Sequence, residues 1–161
     1  MKTLPAKWIR VCAFATILAA CLSSGVQSRN ALAAPVTAAG GYYAESKSVL
    51  CSGSGCSANL TAVPGGKVLI VDRVSCRFTV TATGSYAITH FSLLQSPRTL
   101  VSYLTHSLSG VNGSSRYYLA NNETNHAVPA GSGPIVSMSL SGAATLNQVM
   151  TCTIAGTLRA A

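Results

Sequence analysis

The run KVLIVDRVSCRFTVTAT, residues 67–83, decides the fold class of this chain. Apolar and polar side chains alternate along it and β-branched residues are frequent, as is typical of a β-strand with one buried face. The alternation places on one face Val68, Ile70, Val74, Cys76, Phe78 and Val80. Asp72 falls on the same face, and burying an unpaired carboxylate is costly. We therefore expect a β-bulge or a corner near Asp72-Arg73, which would divide the run into two segments.

Further short runs share this character and are separated by clusters of Gly, Ser, Pro and Asn. We predict strands at Ser48–Cys51, Asn59–Val63, Tyr86–Leu94, Leu100–Leu108, Ser115–Ala120, Ile135–Leu140 and Leu146–Leu158. In the last strand, the apolar residues Met150, Cys152 and Ile154 alternate with threonines, as in a half-buried strand. Some seven to nine short strands in one domain predict an all-β, antiparallel two-sheet sandwich.

A weak internal repeat favours a jelly roll among the sandwiches. Ala62-Val-Pro-Gly-Gly66 precedes KVLIV, and Ala127-Val-Pro-Ala-Gly131 precedes PIVSMSL, 65 residues later. A jelly roll consists of two Greek keys, so a turn repeated at half-domain spacing is expected. The Pro-x-Gly turn before a strand resembles cupin-type jelly rolls, and residues 62–75 resemble uncharacterised exported bacterial β-sandwich proteins. This resemblance implies a fold and names no activity.

The N-terminus has the residue order of an export signal. Lys2, Lys7 and Arg10 form a basic region, the apolar run Val11–Leu22 follows, and small residues come next. The apolar run is shorter than the roughly 20 residues that a membrane-spanning helix needs. We therefore expect three parts: a signal peptide at residues 1–33, a flexible N-terminal segment at 34–47 and the sandwich domain at 48–161.

Two ways of processing this signal remain open. Ala31-Leu-Ala33 has the small-x-small form of a signal-peptidase site, which would start the mature chain at Ala34. Leu18-Ala-Ala-Cys21 resembles a bacterial lipobox, in which Cys21 would be lipidated. The expected location is therefore periplasmic or extracellular, with a lipid anchor in the cell envelope as the alternative. Contact with a membrane is expected only if Cys21 is lipidated.

Four cysteines follow the signal, and an even number in an oxidising compartment predicts two disulfides with three possible connectivities. Cys51 and Cys56 bracket a Ser-Gly-Ser-Gly loop that can bend back on itself, so we pair them. Cys76 and Cys152 then pair, and both lie on apolar faces of predicted strands. Zinc sites favour two tight cysteine pairs, which this spacing lacks.

The charged residues exclude one class of partner and give no metal motif. From residue 34 onward, seven basic and three acidic side chains give a net charge of +4, and the basic residues are scattered. We therefore predict no nucleic-acid interface. A cupin-like metal site could be imagined from His90, His106, Glu123 and His126, but His90 has no histidine two residues away. We predict no metal and no cofactor.

Signals for catalysis are also weak. Glycoside hydrolysis normally uses two carboxylates, and only Glu45, Asp72 and Glu123 follow the signal, the first in the segment expected to be flexible. The chain contains no G-x-S-x-G nucleophile elbow. The sequence therefore favours a protein without catalytic activity. The alternative is a small cupin-like jelly-roll metal protein or enzyme.

A non-catalytic protein that binds a surface, a glycan or a protein partner, or serves as an envelope component, is the preferred interpretation. In Tyr42-Tyr43 and Tyr117-Tyr118, adjacent strand residues point to opposite faces, so one of each pair could be buried and its neighbour exposed. Polar loops on a rigid sandwich often carry recognition, and we expect such loops at Gly110–Arg116 and Asn121–His126. The candidate binding residues there are Asn112, Arg116, Tyr117, Tyr118, Asn122, Glu123 and His126.

Overall fold

The computed structural model describes residues 36–37, 40–142 and 145–161. The expected signal peptide, its cleavage site and Cys21 lie outside these residues. Nowhere in the described ranges is there a helix long and apolar enough to cross a membrane. The strands are β1 (Val36–Thr37), β2 (Tyr42–Ser52), β3 (Gly55–Asn59), β4 (Lys67–Thr83), β5 (Ala87–Gln95), β6 (Thr99–Tyr103), β7 (Ser107–Asn112), β8 (Ser115–Val128), β9 (Pro134–Ser141) and β10 (Thr145–Ala160).

The strands form two antiparallel sheets packed face to face. The six-stranded sheet has the order β1-β2-β10-β4-β8-β7, and the four-stranded sheet has the order β3-β9-β5-β6. The chain pairs as a folded hairpin, β2 with β10, β3 with β9, β4 with β8 and β5 with β6. Wrapping this hairpin places β10 beside β4 and β9 beside β5. This is the jelly-roll arrangement, so the predicted fold class is confirmed.

The bulge expected at Asp72-Arg73 is present, and β4 continues through it as one strand. Val71 and Arg73 of β4 pair with the adjacent residues Gly156 and Ala155 of β10, so Asp72 is the extra residue. This extra residue shifts the alternation by one. Leu69 and Val71 are therefore buried, where the sequence pattern predicted Val68 and Ile70 on the core face, and Asp72 is exposed. The bulge thus keeps the apolar face inward and the carboxylate outward.

The core fills the space between the sheets with large apolar side chains. Phe78 at the centre of β4 stacks on Tyr118, with ring centroids 5.0 Å apart, and lies 5.2 Å from Phe91 of the opposite sheet. Met150 and Ile154 of β10 are also buried, as the alternation in that strand predicted. Burying side chains of this size stabilises the fold by about 2 kcal/mol each.

Two disulfides join the strands in the pairing expected from the sequence. Cys51 at the end of β2 is bonded to Cys56 of β3, which links the two sheets across the turn between them. Cys76 of β4 is bonded to Cys152 of β10, its direct neighbour across the sheet. The second bridge closes a loop of 76 residues, for which the chain-entropy model gives about 4 kcal/mol of stabilisation.

The N-terminal boundary of the sandwich differs from the prediction. Strand β2 begins at Tyr42, within the segment 34–47 that we expected to be flexible, and pairs with β10 from Tyr42 to Ser52. The segment is rich in small residues, and the outward face of β2 within it carries Tyr42, Ala44 and Ser46. Its other face carries Tyr43 and Glu45, both buried. Pairing with β10, rather than local pattern, therefore orders this part of the chain.

Strand β8 runs on to Val128, beyond the predicted Ser115–Ala120, and two further predicted strands also differ in their limits. The run Leu100–Leu108 is divided into β6 and β7, which belong to different sheets, and Leu104 crosses between them with its N–H donated to the Phe91 carbonyl at 2.7 Å. The strand expected at Asn59–Val63 instead ends at Asn59, as β3. Residues 60–63 run beside the segment before β9, because Val63 N–H bonds the Ser132 carbonyl and Gly131 N–H bonds the Val63 carbonyl, each at 2.9 Å. The two repeated Pro-x-Gly turns therefore lie side by side.

Candidate functional site

Short polar side chains are frequent on the face of the six-stranded sheet that points away from the core, here called the outer face. Its central strands are β2, β10, β4 and β8, and cross-strand pairing aligns their outward residues in rows. Three successive rows are Ser46-Thr153-Ser75-Asn121, Ser48-Thr151-Arg77-Leu119 and Leu50-Val149-Thr79-Tyr117. With strands about 4.8 Å apart and same-face residues about 6.8 Å apart, these rows cover about 14 Å in each direction.

Hydrogen bonds between neighbouring strands hold many of these side chains in place. The Ser46 and Thr153 hydroxyls are 2.6 Å apart, and those of Ser48 and Thr151 are 2.8 Å apart. On the other side of β10, Ser75 donates to the Asn121 amide oxygen at 3.0 Å. Such cross-strand pairs restrict side-chain rotation. The outer face is therefore a pre-positioned set of hydroxyl and amide groups.

An apolar row adjoins the hydroxyl rows on this face. Leu50 is 79% exposed, Val149 48% and Tyr117 37%, and all three lie in the row through Thr79. Tyr117 is the exposed partner of buried Tyr118, and Tyr42 is likewise exposed beside buried Tyr43. The predicted division of both tyrosine pairs is thus confirmed. The exposed rings give the polar face an aromatic contact surface.

The bulge shapes a cleft at one end of the outer face, here called the bulge cleft. Its volume is about 530 Å³, and its lining includes Tyr42, Asp72, Arg73, Glu123 and Asn125. Arg73 and Glu123 form an ion pair at 3.4 Å, and both side chains are exposed. Two carboxylates therefore share this cleft, although Glu123 is already paired with a guanidinium. Exposed ion pairs of this kind contribute little to stability.

Two residues with unusual backbone requirements, Gly156 and Asn125, line the bulge cleft. A Cβ atom on Gly156 would lie 2.0 Å from the Ile70 carbonyl oxygen, so glycine is needed for β10 to approach β4 here. Asn125 of β8 has φ of 73°, in the left-handed region that Asn tolerates better than most residues. The irregularity therefore crosses three neighbouring strands, β10, β4 and β8.

Glu45, which the sequence placed in a flexible segment, is instead a buried and fully engaged carboxylate. It accepts hydrogen bonds from the Thr61 N–H at 3.0 Å, from the Thr61 hydroxyl at 3.0 Å and from the Tyr43 hydroxyl. Burial, followed by the hydrogen bond to Glu45, raises the pKa of Tyr43 well above its usual value. Glu45 thereby joins β2 to the segment after β3. Its surroundings are those of a structural group.

The prediction of a recognition loop at Asn121–His126 is wrong, because these residues lie inside strand β8. Asn122 explains why the strand continues. Its amide oxygen accepts from the Thr105 N–H at 2.8 Å and its amide N–H donates to the Thr105 carbonyl at 2.9 Å, which replaces a missing neighbouring strand. His126 bonds Gln95 at 3.1 Å. Glu123 faces the bulge cleft.

The other predicted segment, Gly110–Arg116, is a tight hairpin, with only Gly113 and Ser114 outside strands β7 and β8. Asn112 closes β7, and Arg116 lies over the Tyr86 ring with its guanidinium carbon 4.9 Å from the centroid. Of the predicted binding residues, Tyr117 therefore lies on the outer face, whereas Tyr118 belongs to the core.

The histidines do not converge. His90 stacks on Tyr103 with ring centroids 5.7 Å apart, and His106 packs against Phe78, Phe91 and Tyr118. Within the described ranges, no three His, Cys, Asp or Glu side chains lie close enough to hold a metal ion. Burial among the aromatic rings lowers the pKa of His106. The packing of these histidines thus offers no cupin-like ligand set.

Sequence reasoning missed most of the outer face. The threonines of β10 opposite Met150 and Cys152 were a visible signal for a polar face on that strand. The partners of these threonines on β2 are about 100 residues away in sequence, so local pattern could not join them. Arg77 lacked any signal, since an arginine between apolar neighbours in a strand is a common exposed residue.

Comparison of the chain with protein-family models, curated proteins and solved structures found no match. The geometry of the site therefore carries the functional argument.

Proposed function

We propose that this chain is an exported, non-catalytic binding module that recognises a glycan through its outer face. The observation that carries the proposal is the three aligned rows of outward residues, in which paired hydroxyls and an amide adjoin the exposed Tyr117 ring. Sugars offer hydroxyl groups for hydrogen bonds and C–H faces for contact with aromatic rings. A surface of about 14 Å in each direction accommodates a few sugar rings.

The rigidity of the strands under this face supports the same function. The disulfide between Cys76 and Cys152 joins β4 to β10 directly beneath Arg77, Thr151 and Thr153. A binding group held in place before the ligand arrives loses less entropy on association. The outer face therefore needs no rearrangement to present its hydroxyls.

Two disulfides indicate an oxidising compartment, which agrees with export. Cleavage after Ala33, or lipidation of Cys21, completes the proposed route. Intact-mass measurement of protein recovered from the envelope and medium of an expressing bacterium tests it, with a mature start at Ala34 or a lipidated Cys21 as the expected results. Recovery of secreted protein that still carries Met1 would contradict both.

Binding to a panel of immobilised neutral and acidic polysaccharides tests the proposed function. We expect retention of the wild-type chain on at least one glycan, and a loss of about tenfold in affinity for Tyr117→Ala, the magnitude of one lost contact of about 1.4 kcal/mol. Thr151→Val, which removes a hydroxyl at nearly constant volume, should weaken binding in the same direction. Tyr103→Ala is the matched control, because Tyr103 is an exposed tyrosine on the four-stranded sheet. Loss of binding in the Tyr103 variant alone would move the site to the other sheet, and failure to bind any glycan would overturn the proposal.

A further inference from the structure

We infer that Arg77 makes the outer face selective for glycans that contain uronic acids, by pairing with the carboxylate of one sugar. This inference rests on the proposed function and specifies its ligand. It follows from the position of Arg77, from the absence of a protein partner for its charge within the described residues, and from the donors around it.

Arg77 lies at the centre of the outer face. It is exposed on β4, with Thr151 of β10 on one side and Leu119 of β8 on the other. In the part of the chain that the structure describes, the guanidinium forms neither an ion pair nor a hydrogen bond with another side chain. A guanidinium carries five N–H donors in a planar fork that matches a carboxylate in bidentate geometry.

The acidic residues of the domain are engaged elsewhere. Glu45 is buried and accepts from Tyr43 and Thr61, so it offers nothing to the outer face. Glu123 is paired with Arg73 in the bulge cleft, and Asp72 lines the same cleft. Arg73 and Arg77 are four residues apart on one strand, a separation of about 13 Å. The charge of Arg77 is therefore available to a ligand.

The surroundings of Arg77 suit a sugar acid. A depression of about 460 Å³ lies over this part of the face, lined by Ser75, Arg77, Leu119, Asn121, Thr151 and Thr153. The Asn121 amide oxygen already accepts from Ser75, which leaves the amide N–H₂ group of Asn121 as the donor it can offer to a ligand. Hydroxyls and an amide around one guanidinium can bind the ring hydroxyls of the sugar whose carboxylate Arg77 holds.

The number of charges favours a uronic acid over a sulfated chain. Sulfated polymers carry several closely spaced anionic groups per repeat and are bound by clusters of basic residues. Within the three rows of the outer face, Arg77 is the one charged side chain among neutral groups. The exposed Arg159 lies eight residues further along β10 from Thr151, about 26 Å away, and the basic residues of the domain are scattered along the chain. One carboxylate within a run of hydroxyls is the ligand that matches this arrangement.

The test compares uronate chains with their neutral forms. Polygalacturonate, alginate and hyaluronan serve as probes, with fully methyl-esterified pectin as the uncharged counterpart of the first, and affinity is measured by calorimetry on the full exported chain. We expect binding to at least one uronate probe, and loss of that binding on esterification. Arg77→Gln should weaken it by tenfold to a hundredfold, the range for a charge-assisted hydrogen-bonded pair. Arg77→Lys keeps the charge but lacks the planar fork of donors. Its affinity for the uronate probe should lie between those of the wild type and Arg77→Gln.

Arg98→Gln is the matched control, because Arg98 is an exposed arginine in the turn between β5 and β6 of the other sheet. Equal losses in the Arg77 and Arg98 variants would show attraction by net charge and overturn the inference. Binding to neutral glycans that depends on Tyr117 but not on Arg77 would also overturn it, while the proposed function would stand. Binding to dextran sulfate in preference to every uronate probe would assign the face to sulfated chains and contradict the inference. If the chain bound none of these glycans, both the selectivity for uronic acids and the proposed glycan-binding function would be wrong.

Discussion

Glu45 shows how one buried residue can determine where a domain begins. Its carboxylate receives three hydrogen bonds, from two groups of Thr61 and from Tyr43. A buried carboxylate without such partners would be costly, and with them it fixes the position of two separate segments. The polar residues around Glu45 made the segment look flexible in the sequence. Its hydrogen-bonding partners explain why it is ordered.

We predict that Glu45→Ala destabilises the domain by about 3 kcal/mol, because the buried Tyr43 hydroxyl and two part-buried hydrogen bonds from Thr61 lose their acceptor. Glu45→Gln keeps one acceptor oxygen and should cost less. Denaturant unfolding measures both. Tyr43→Phe should be destabilising as well, whereas Tyr42→Phe, at the exposed neighbour, should leave the unfolding midpoint unchanged. A Glu45→Ala protein as stable as the wild type would show that the carboxylate contributes nothing net.

His106 gives the domain a pH dependence whose sign follows from the partial desolvation of its ring against Phe78, Phe91 and Tyr118. Partial desolvation by these rings lowers the pKa of His106 below its ordinary value of 6.5 in the folded state. On acidification the unfolded chain therefore takes up a proton before the folded chain does. The stabilisation is present above pH 6.5 and is lost as the pH falls through the lower, folded-state pKa.

The free energy of unfolding of the wild type should therefore fall from pH 7 to pH 5. Relative to the wild type, His106→Phe should lose less stability over that interval, since the ring stays aromatic but no longer titrates. Unfolding in denaturant at several pH values measures the difference, with His90→Phe as the control histidine. The same pH dependence in wild type and His106→Phe would contradict the assignment.

At the scale of elements, the bulge in β4 follows from a conflict that can be seen in the sequence. A carboxylate falls on an otherwise apolar face, and one extra residue resolves it. The position of the bulge could be predicted because both faces of β4 are visible in its own residues. The glycine that β10 needs opposite the bulge could not be predicted. The need for Gly156 depends on how closely the Ile70 carbonyl oxygen of β4 approaches β10.

We predict that Gly156→Ala destabilises the domain by about 3 kcal/mol, the upper range for overpacking, because its Cβ would lie 2.0 Å from the Ile70 carbonyl oxygen. Gly65→Ala is the control, since no atom lies within 4 Å of a Cβ built there. Thermal unfolding of both variants checks the contrast. Equal unfolding temperatures for the two variants would show that β10 and β4 can move apart at the bulge to admit a methyl group, and would contradict the prediction.

The difference between features set by a strand's own residues and features set by its neighbours explains which elements were predicted correctly. Strands β4 and β10 depend on alternation and the Cys51–Cys56 disulfide on a short loop, which are local properties of the sequence. The Cys76–Cys152 disulfide then follows because these are the two remaining cysteines after the signal. The division of Leu100–Leu108 into β6 and β7 depends on which sheet each half joins, and the start of β2 depends on β10. The outer face falls in the second group, because its rows combine residues from four strands. The candidate site therefore becomes visible only once the register is known.

At the scale of the whole molecule, the jelly roll closes through the pairing of its first and last long strands. Strand β2 pairs with β10 over the 11 residues Tyr42–Ser52, and β10 in turn lies beside β4 at the centre of the sheet. Loss of β2 would remove Tyr43 and Glu45 from their buried sites and leave β10 with an open edge. The integrity of the outer face thus depends on the N-terminal strand.

This dependence gives a test of where the domain begins. A chain that starts at Gly40 keeps all of β2 and should unfold cooperatively at nearly the temperature of the chain that starts at Ala34. A chain that starts at Ser48, the boundary expected from the sequence, lacks six residues of β2, including Tyr43 and Glu45. It should lose near-ultraviolet circular dichroism and glycan binding together, because the cost of truncation is a large part of the 5–15 kcal/mol that typically holds a domain folded. Cooperative unfolding of the Ser48 chain at the temperature of the longer one would restore residues 34–47 to the role of a flexible segment.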